Sequence, residues 1–153
     1  LLNLKVAKII DVKDHPNADK LYVLQIDLGT EKRQLVAGLK GHYSNEGLIN
    51  KKIIVITNLK HAKLRGVESQ GMLLAGVTEN EENIGVLTVD KSEAGDQVYL
   101  EGYENSNTEL NFEEFQKLNI TIQNSHAIFE GKELKTDKEI VKVEKVKDGA
   151  RVR

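Results

Sequence analysis

Short apolar segments, rich in β-branched residues and separated by turn residues, are the feature that most limits what this chain can fold into. They recur from residue 4 to residue 100, and many short strands at such spacing predict a closed or sandwiched β-structure. A hairpin turn is predicted at Gly29-Thr30, and a short helical turn is predicted over residues 44–48. The predicted strands cover residues 4–12, 21–28, 34–37, 51–57, 71–77, 85–89 and 97–100.

The pattern changes after Tyr103. Residues 104–108 are polar, and Asn111 precedes Glu114 by three positions, which predicts an N-cap with a capping box for a helix through Leu118. Later strands are predicted at 127–129 and 140–143, with a turn at 130–132 after the first. We therefore predict two units, residues 1–104 and residues 105–153, with the second packed on the first.

Composition excludes several classes of site. The chain has no cysteine, which removes disulfides, thiolate metal sites and cysteine nucleophiles. No run of 18 apolar residues is present, so no membrane span or membrane partner is predicted. The chain opens with Leu1 rather than methionine and shows no signal-peptide pattern, so we expect it to be an excised piece of a longer protein.

Charge is unevenly distributed along the chain. The formal net charge is only -2, but residues 32–67 contain eight basic residues and one acid, Glu46. Residues 68–114 reverse this balance, with twelve acids and one lysine. Because salt screens charges beyond about 8–10 Å, local clusters decide what a surface attracts. The basic stretch therefore predicts an anion-binding surface on a slightly anionic molecule.

The segment 58–72 is the part of this stretch that is richest in ligand-binding groups. It connects two predicted strands and carries the cations Lys60, Lys63 and Arg65 among residues able to hydrogen-bond phosphate or ribose. Lysine meets phosphate as a flexible point charge, whereas arginine grips two oxygens or stacks on a base. Gly66 and Gly71 allow positive φ or close approach of a ligand. A solvated loop whose lysines only aid solubility is the alternative interpretation.

The order of these residues resembles the tRNA-binding domain family, whose eukaryotic member is the endothelial monocyte-activating polypeptide II-like domain. The family segment reads approximately N-L-K-P-A-K-[LM]-R-G-V-x-S-x-[GA]-M, and this chain has NLKHAKLRGVESQGM. His61 stands where the family usually has proline, which loosens the backbone there. The family signature H-P-[ND]-A-D-x-L-Y-V matches HPNADKLYV from His15, and V-x-G-L matches the segment from Val36 to Leu39.

The resemblance implies a mainly β fold, a five-stranded OB-fold barrel with a small C-terminal α/β extension packed on it. It implies shape-directed binding of tRNA, no catalytic residue, no metal and no cofactor. The implied partner is an aminoacyl-tRNA synthetase, in cis or in trans, in the cytoplasm. A monomer is expected, because the extension covers the surface at which bacterial relatives dimerise. The expected tRNA-binding residues are Asn58, Lys60, Lys63, Arg65, Ser69, Gln70, Met72, Lys40, Lys51 and Lys52.

Other candidate sites are weaker. His15, Asp14 and Asp19 surround Pro16 and fit a turn better than an acid–base cluster. His42 and His126 lack partners at ligand spacing, and no serine stands in a nucleophile-elbow pattern. Among the tyrosines, Tyr43 beside Lys40 is the candidate for a surface that stacks on bases, whereas Tyr22 and Tyr99 are expected to pack. A protein-interaction or released cytokine-like role remains the rival function, and an enzyme ranks third.

Overall fold

Two β-sheets make up most of the molecule. The computed structural model describes residues 2–80 and 82–152. The first sheet has the order β3-β2-β1-β4-β7, with β10 paired to the start of β1. Its strands are β1 (Leu4–Asp14), β2 (Tyr22–Asp27), β3 (Lys32–Ala37), β4 (Lys52–Ile56), β7 (Met72–Leu73) and β10 (Gln97–Val98). Between β3 and β4 lies the one-turn helix α1 (Asn45–Leu48), with Ser44 as its N-cap.

β1 is long because it serves both halves of the barrel. Its first residues pair with β4 and its last residues pair with β2, and the register shifts between Ile9 and Asp11. A bulge at this point bends a strand and increases its twist, which a closed sheet requires. Ile10, the residue at the shift, is 38% exposed. The expected mainly β fold with an OB-type barrel is confirmed.

The second sheet joins the barrel to the C-terminal extension. Its order is β11-β15-β8-β9-β14-β12-β13, so the extension strands pair with both outer edges of a barrel hairpin. The barrel hairpin consists of β8 (Ala75–Val77) and β9 (Ile84–Thr88). The extension strands are β11 (Ile120–Gln123), β12 (His126–Phe129), β13 (Lys132–Glu133), β14 (Lys142–Val143) and β15 (Arg151–Val152).

The apolar residues of β4 contribute to two different hydrophobic cores. Side chains alternate between the faces of a strand. Ile53 and Val55 belong to the core inside the barrel, whereas Ile54 and Ile56 belong to a second core shared with the extension. The continuous apolar centre of β4 is therefore buried on both faces, and the second core also contains Phe115 from the extension.

Two contacts hold the junction between the barrel and the extension: hydrogen bonds to one carboxylate and a close approach of two backbone segments. The Glu139 carboxylate accepts hydrogen bonds from the backbone N–H groups of Asp90 (2.7 Å), Lys91 (2.6 Å) and Ser92 (2.6 Å). Burial by itself raises the pKa of Glu139, but these hydrogen bonds outweigh it and lower the pKa to about 2. A Cβ at Gly85 would lie 1.5 Å from the carbonyl oxygen of Glu144, so only glycine lets the two backbones approach this closely.

The predicted extension helix forms as α2 (Phe112–Gln116). Asn111 accepts from the Glu114 amide at 2.9 Å, and the Glu114 side chain accepts from the Asn111 amide at 3.1 Å, which confirms the capping box. The helix ends at Gln116, two residues before the predicted end. The predicted strand 71–77 is divided into β7 and β8 at Leu74.

The division at residues 104 and 105 stays a prediction, since one continuous sheet spans both units. Residues 1 and 153, the outer limits of those units, lie outside the described residues, as does Glu81 in the first unit. Among the residues described, no helix is long and apolar enough to cross a membrane.

Candidate nucleic-acid interface

The segment 58–72 forms a projecting β-hairpin rather than an irregular loop, and we call it the hairpin arm. Its strands are β5 (Ala62–Leu64) and β6 (Val67–Ser69), which pair only with each other in the described sheets. The turn contains two residues, Arg65 with φ 52° and Gly66 with φ 88°. Positive φ at both central residues is typical of a type I′ turn, whose twist matches that of a hairpin. An arginine in this conformation is uncommon, and it places Arg65 at the tip of the arm.

The two faces of the arm differ in character. Side chains alternate along a strand, so Ala62 and Leu64 face one side and Lys63 faces the other. Glu68 lies opposite Lys63 in the pairing, on the same outer face. The arm therefore has an apolar inner face and a charged outer face.

Three cations of the arm have no ion-pair partner in the part of the chain that the structure describes. Lys60, Lys63 and Arg65 are exposed, and none of them forms an ion pair within residues 2–80 and 82–152. Glu68, the nearest acid by strand pairing, accepts instead from the Gln70 amide at 3.1 Å. Unpaired cations on a projecting hairpin can meet phosphates without first breaking an intramolecular contact.

Arg33 holds the base of the arm and was not among the predicted site residues. One of its guanidinium nitrogens, Nη1, donates to the carbonyls of Thr57 (2.8 Å) and Gln70 (3.0 Å), which flank the two ends of the hairpin. Its side chain is only 19% exposed and also pairs with Glu31 at 2.5 Å. Its charge is thus used inside the protein, and no local sequence signal separates it from a surface cation.

Asn58 and Ser69, both predicted to contact tRNA, are buried. Asn58 accepts from the Asn3 amide at 2.9 Å and donates to the Thr108 carbonyl at 2.9 Å. The Ser69 hydroxyl accepts from the Val36 amide at 3.0 Å and donates to the Gly71 carbonyl at 2.9 Å. Since their polar atoms are used within the fold, these two side chains position the arm instead of facing a ligand.

Gln70 and Met72 also connect the arm to the barrel. The Gln70 side chain accepts from the Gln34 amide at 2.9 Å, which ties the arm to β3. Met72 is half-buried and packs against the core shared with the extension. Gly71 between them has φ 151°, and a Cβ there would lie 2.9 Å from the Ile56 carbonyl oxygen. The motif around residue 70 is therefore mainly structural.

His15 links the predicted turn to the hairpin arm. Its Nδ1 accepts from the Asn17 amide at 2.9 Å, so Nε2 carries the proton and donates to the Leu64 carbonyl at 2.8 Å. The turn at Pro16 is confirmed, and the His15 side chain stabilises it by accepting from the Asn17 amide. One hydrogen bond between residues 49 positions apart thus joins two of the sequence motifs.

The remaining predicted cations lie elsewhere or are already paired. Lys40 pairs with Asp14 at 3.1 Å, beside the turn that contacts the arm. Lys51 pairs with Glu144 of the extension at 2.9 Å, and the Lys52 ammonium approaches the Asp90 carbonyl at 3.4 Å. Lys52 begins the strand that leads to the arm, about 20 Å from Asn58 at the usual rise per residue. The predicted contact of Lys51 and Lys52 with tRNA stays a prediction, and the charge of Lys51 is already engaged by Glu144.

Tyr43 was predicted to lie at the surface and stack on bases, and that prediction is wrong. Tyr43 is buried, its hydroxyl donates to Glu144 at 3.0 Å, and it accepts from the Val86 amide at 3.0 Å. Burial, reinforced by the Glu144 carboxylate, raises the pKa of Tyr43. The tyrosine expected to stack on bases therefore belongs to the junction. Tyr22 packs in the core as predicted, whereas Tyr99 is 38% exposed.

An apolar groove lies beneath the inner face of the arm. It encloses about 510 Å³ between the arm, β3, β7 and α2. Lys60 stands at its edge, and the described residues that line it include no acid. No cluster of three or more histidines, cysteines or acids able to hold a metal occurs among the residues that the structure describes.

Residues 4–97 match a family model described as "Putative tRNA binding domain". The chain belongs to the tRNA-binding domain family. The matched residues contain the turn at His15, the segment from Val36 and the whole hairpin arm, which were the three motifs recognised in the sequence.

The chain is 60% identical over 90 residues to a methionine–tRNA ligase of Pyrococcus horikoshii, and 59% identical over 90 residues to that of Thermococcus onnurineus. Each match covers 59% of this chain and 12% of the relative. The methionine–tRNA ligase of Methanocaldococcus jannaschii is 50% identical over 98 residues, 63% of this chain and 15% of the relative. The chain thus spans about an eighth of the length of the curated relatives it matches.

Some solved structures match the whole chain, and others match about as much of it as the barrel. The C-terminal domain of Plasmodium vivax p43 matches 99% of this chain and 96% of its own, with a TM-score of 0.88 and 26% identity. A protein of Pyrococcus horikoshii described as related to methionyl-tRNA synthetase matches 64% of this chain and 90% of its own, with a TM-score of 0.60 and 33% identity. The predicted resemblance to a tRNA-binding domain with a C-terminal extension is confirmed.

Proposed function

We propose that this chain is a non-catalytic domain that binds tRNA through its hairpin arm and supplies it to an aminoacyl-tRNA synthetase. The observation that carries the proposal is the set of three exposed cations, Lys60, Lys63 and Arg65, on an arm whose base is fixed by Arg33. Fixing the arm beforehand reduces the ordering entropy that binding costs. Membership in the tRNA-binding domain family supports the choice of ligand.

The synthetase is methionyl-tRNA synthetase in this proposal, joined in one chain or bound in a complex in the cytoplasm. Support comes from the methionine–tRNA ligases, which are 50–60% identical to this chain over aligned stretches of 90–98 residues. Tethering a domain of modest affinity raises the local concentration of tRNA at the catalytic site without any new contact there. We further propose a monomer, since extension strands occupy both edges of the hairpin formed by β8 and β9.

Recognition is directed mainly at the shape of tRNA. The arm offers charges to the phosphate backbone, and folded RNA is often recognised by shape and backbone contacts. Different tRNA species should therefore bind with affinities within a few-fold of one another. An unfolded transcript of the same length should bind more weakly, because it lacks the arrangement of phosphates that the arm fits.

The test is equilibrium binding of tRNA to the 153-residue chain and to the double variant Lys63→Ala/Arg65→Ala. Loss of two phosphate contacts lowers affinity by roughly 25- to 60-fold at 100 mM salt. The matched control is Lys117→Ala/Lys147→Ala, which removes two exposed cations of the extension and should leave affinity unchanged. If both double variants bind tRNA as the unmodified chain does, the hairpin arm is not the binding surface.

The rival function is protein interaction or cytokine-like signalling. A solved structure of a protein named as the chaperone CsaA, from Picrophilus torridus, shares the barrel at 29% identity and a TM-score of 0.57 over 63% of this chain. Co-purification of synthetase with this chain, measured before and after ribonuclease treatment, separates direct protein contact from contact through tRNA. Absence of tRNA binding together with ribonuclease-resistant capture would favour the rival.

A further inference from the structure

The apolar groove beneath the hairpin arm has no role in a purely electrostatic account of tRNA binding. Its volume of about 510 Å³ lies within the range of roughly 300–1,000 Å³ typical of small-molecule sites. Its walls come from three parts of the molecule: Leu64 of the arm, Val36 and Leu39 of the barrel, and Phe112 of the extension. Leu64 is 40% exposed and Phe112 is 45% exposed, so two large apolar side chains stand open at this site.

The position of Phe112 is fixed by a neighbouring ring and by the backbone before it. Its ring lies 6.3 Å from that of Phe115, which is 1% exposed and belongs to the core shared with the extension. The chain just before Phe112 is fixed to the base of the arm, because Lys60 N–H donates to Leu110 C=O at 2.8 Å and Leu110 N–H donates to Asn58 C=O at 2.9 Å. These two backbone hydrogen bonds thus place the Phe112 ring of the extension beside the arm.

Charge around the groove selects the kind of occupant. Lys60 lines the groove, and the described lining residues carry no acid. An apolar cavity beside a cation fits a molecule with an apolar flat part joined to an anionic part. A nucleotide has this composition, since its base has apolar faces and its phosphate is anionic.

We propose that the groove receives an unstacked base of the bound tRNA, which stacks on Phe112 while its phosphate lies near Lys60. This inference rests on the proposed function, because it names a further contact made by the same ligand at the same arm. It assigns part of the tRNA-binding site to the extension, outside the residues that match the family model, which end at residue 97.

The first test compares Phe112→Ala with Tyr99→Ala. Tyr99 is 38% exposed and is not among the groove-lining residues, so it serves as a matched exposed aromatic. Stacking on an aromatic side chain contributes enough that its removal should weaken tRNA binding about fivefold or more. The salt dependence of binding should stay unchanged, because no phosphate contact is lost. Binding of a fully paired RNA duplex should be the same for Phe112→Ala and the unmodified chain.

The second test uses Phe112→Trp, which introduces the only tryptophan of the chain. Its fluorescence should be quenched when tRNA is added, because a stacked base lies against the indole ring. Tyr99→Trp, the matched control, should show no quenching. This measurement does not depend on a loss of affinity, so it remains informative if Phe112→Ala lowers stability.

The outcomes separate this inference from the proposed function. If the unmodified chain fails to bind tRNA, the proposed function fails. If it binds tRNA, but Phe112→Ala binds equally well and Phe112→Trp is not quenched, the base-binding groove alone is overturned. Quenching of Phe112→Trp by an apolar peptide and not by tRNA would also overturn it, in favour of a protein ligand.

Discussion

The hairpin arm and the junction with the extension use similar charged residues in opposite ways. In the arm, Lys60, Lys63 and Arg65 have no ion-pair partner in the described parts of the chain. In the junction, Glu139 accepts from three backbone amides, and Glu144 binds both Lys51 and Tyr43. Charges that hold the fold are already compensated, whereas charges left uncompensated on a fixed arm are available to a ligand.

Substitution of Gly85 at the junction should cause the largest loss of stability. Gly85→Ala places a Cβ 1.5 Å from the Glu144 carbonyl oxygen, a backbone atom that cannot move aside easily. We expect the free energy of unfolding to fall by about 3 kcal/mol or more, measured by urea denaturation. Gly38→Ala is the control, because its Cβ would meet only Leu21 Cδ2 at 3.8 Å and stability should change by less than about 0.5 kcal/mol. Equal stability of the two variants would show that the two backbones separate without cost.

Glu139→Ala should have the next largest effect. Removal of hydrogen bonds to a charged carboxylate should lower the free energy of unfolding by about 2–3 kcal/mol. The control is Glu130→Ala. Glu130 is exposed on the same extension and accepts from the Tyr103 hydroxyl, so its removal should change the free energy of unfolding little. An unchanged melting temperature for Glu139→Ala would contradict the assigned role.

The same carboxylate gives the junction a defined acid sensitivity. The pKa of Glu139 is about 2 in the folded chain, below its ordinary value of 4.5. A lowered pKa means that the carboxylate stabilises the fold above pH 4.5 and that this contribution disappears as the pH falls toward 2. Thermal unfolding measured across this window should show a smaller pH dependence for Glu139→Gln than for the unmodified chain. Identical pH profiles would contradict the assignment.

Arg33 resembles the charges of the junction, because its guanidinium group is used within the protein to hold the base of the arm. Arg33→Met removes two hydrogen bonds to carbonyls at the base of the arm, so we expect a loss of about 1–2 kcal/mol in stability. tRNA affinity should fall because the arm is less fixed, but its salt dependence should not change. Lys32→Met, an exposed neighbour, is the control. A flattened salt dependence for Arg33→Met would mean that Arg33 contacts phosphate itself.

The smallest predicted effect is a gain of affinity. Glu68→Gln removes the one acid that lies opposite Lys63 while keeping an acceptor for Gln70. tRNA binding should strengthen by about twofold, because a like charge no longer faces the phosphates. Glu46→Gln, at a distant exposed acid of α1, should leave affinity unchanged. If both variants gain equally, the effect belongs to net charge and not to the arm.

Local patterns predicted the parts of the fold that depend on neighbouring residues. The predicted strand 4–12 appears as β1, and the spacing of Asn111 and Glu114 correctly predicted the capping box. The segment 58–72 was recognised by its residue order, but its hairpin was not predicted, because β5 and β6 have only three residues each and are too short to show a strand pattern.

The site was only partly predictable because partners distant in sequence decide which charges are free. Lys51 and Lys63 look alike in sequence, yet Lys51 finds Glu144, 93 positions later, and Lys63 finds no partner in the described chain. Tyr43 is buried and Arg33 is half-buried for the same reason, since their partners come from the extension and from the arm. Phe112 was missed because it reaches the arm only through the pairing of Leu110 with residues 58–60.

The salt dependence of tRNA affinity tests the contrast between free and compensated charges most directly. With three phosphate contacts from the arm, the slope of log affinity against log salt should be about -2.1 to -2.7. Lys63→Ala/Arg65→Ala should reduce it to about -0.7 to -0.9, whereas Lys51→Ala/Lys52→Ala should leave it unchanged despite some loss of stability. A slope that flattens for the second pair and persists for the first would contradict the account.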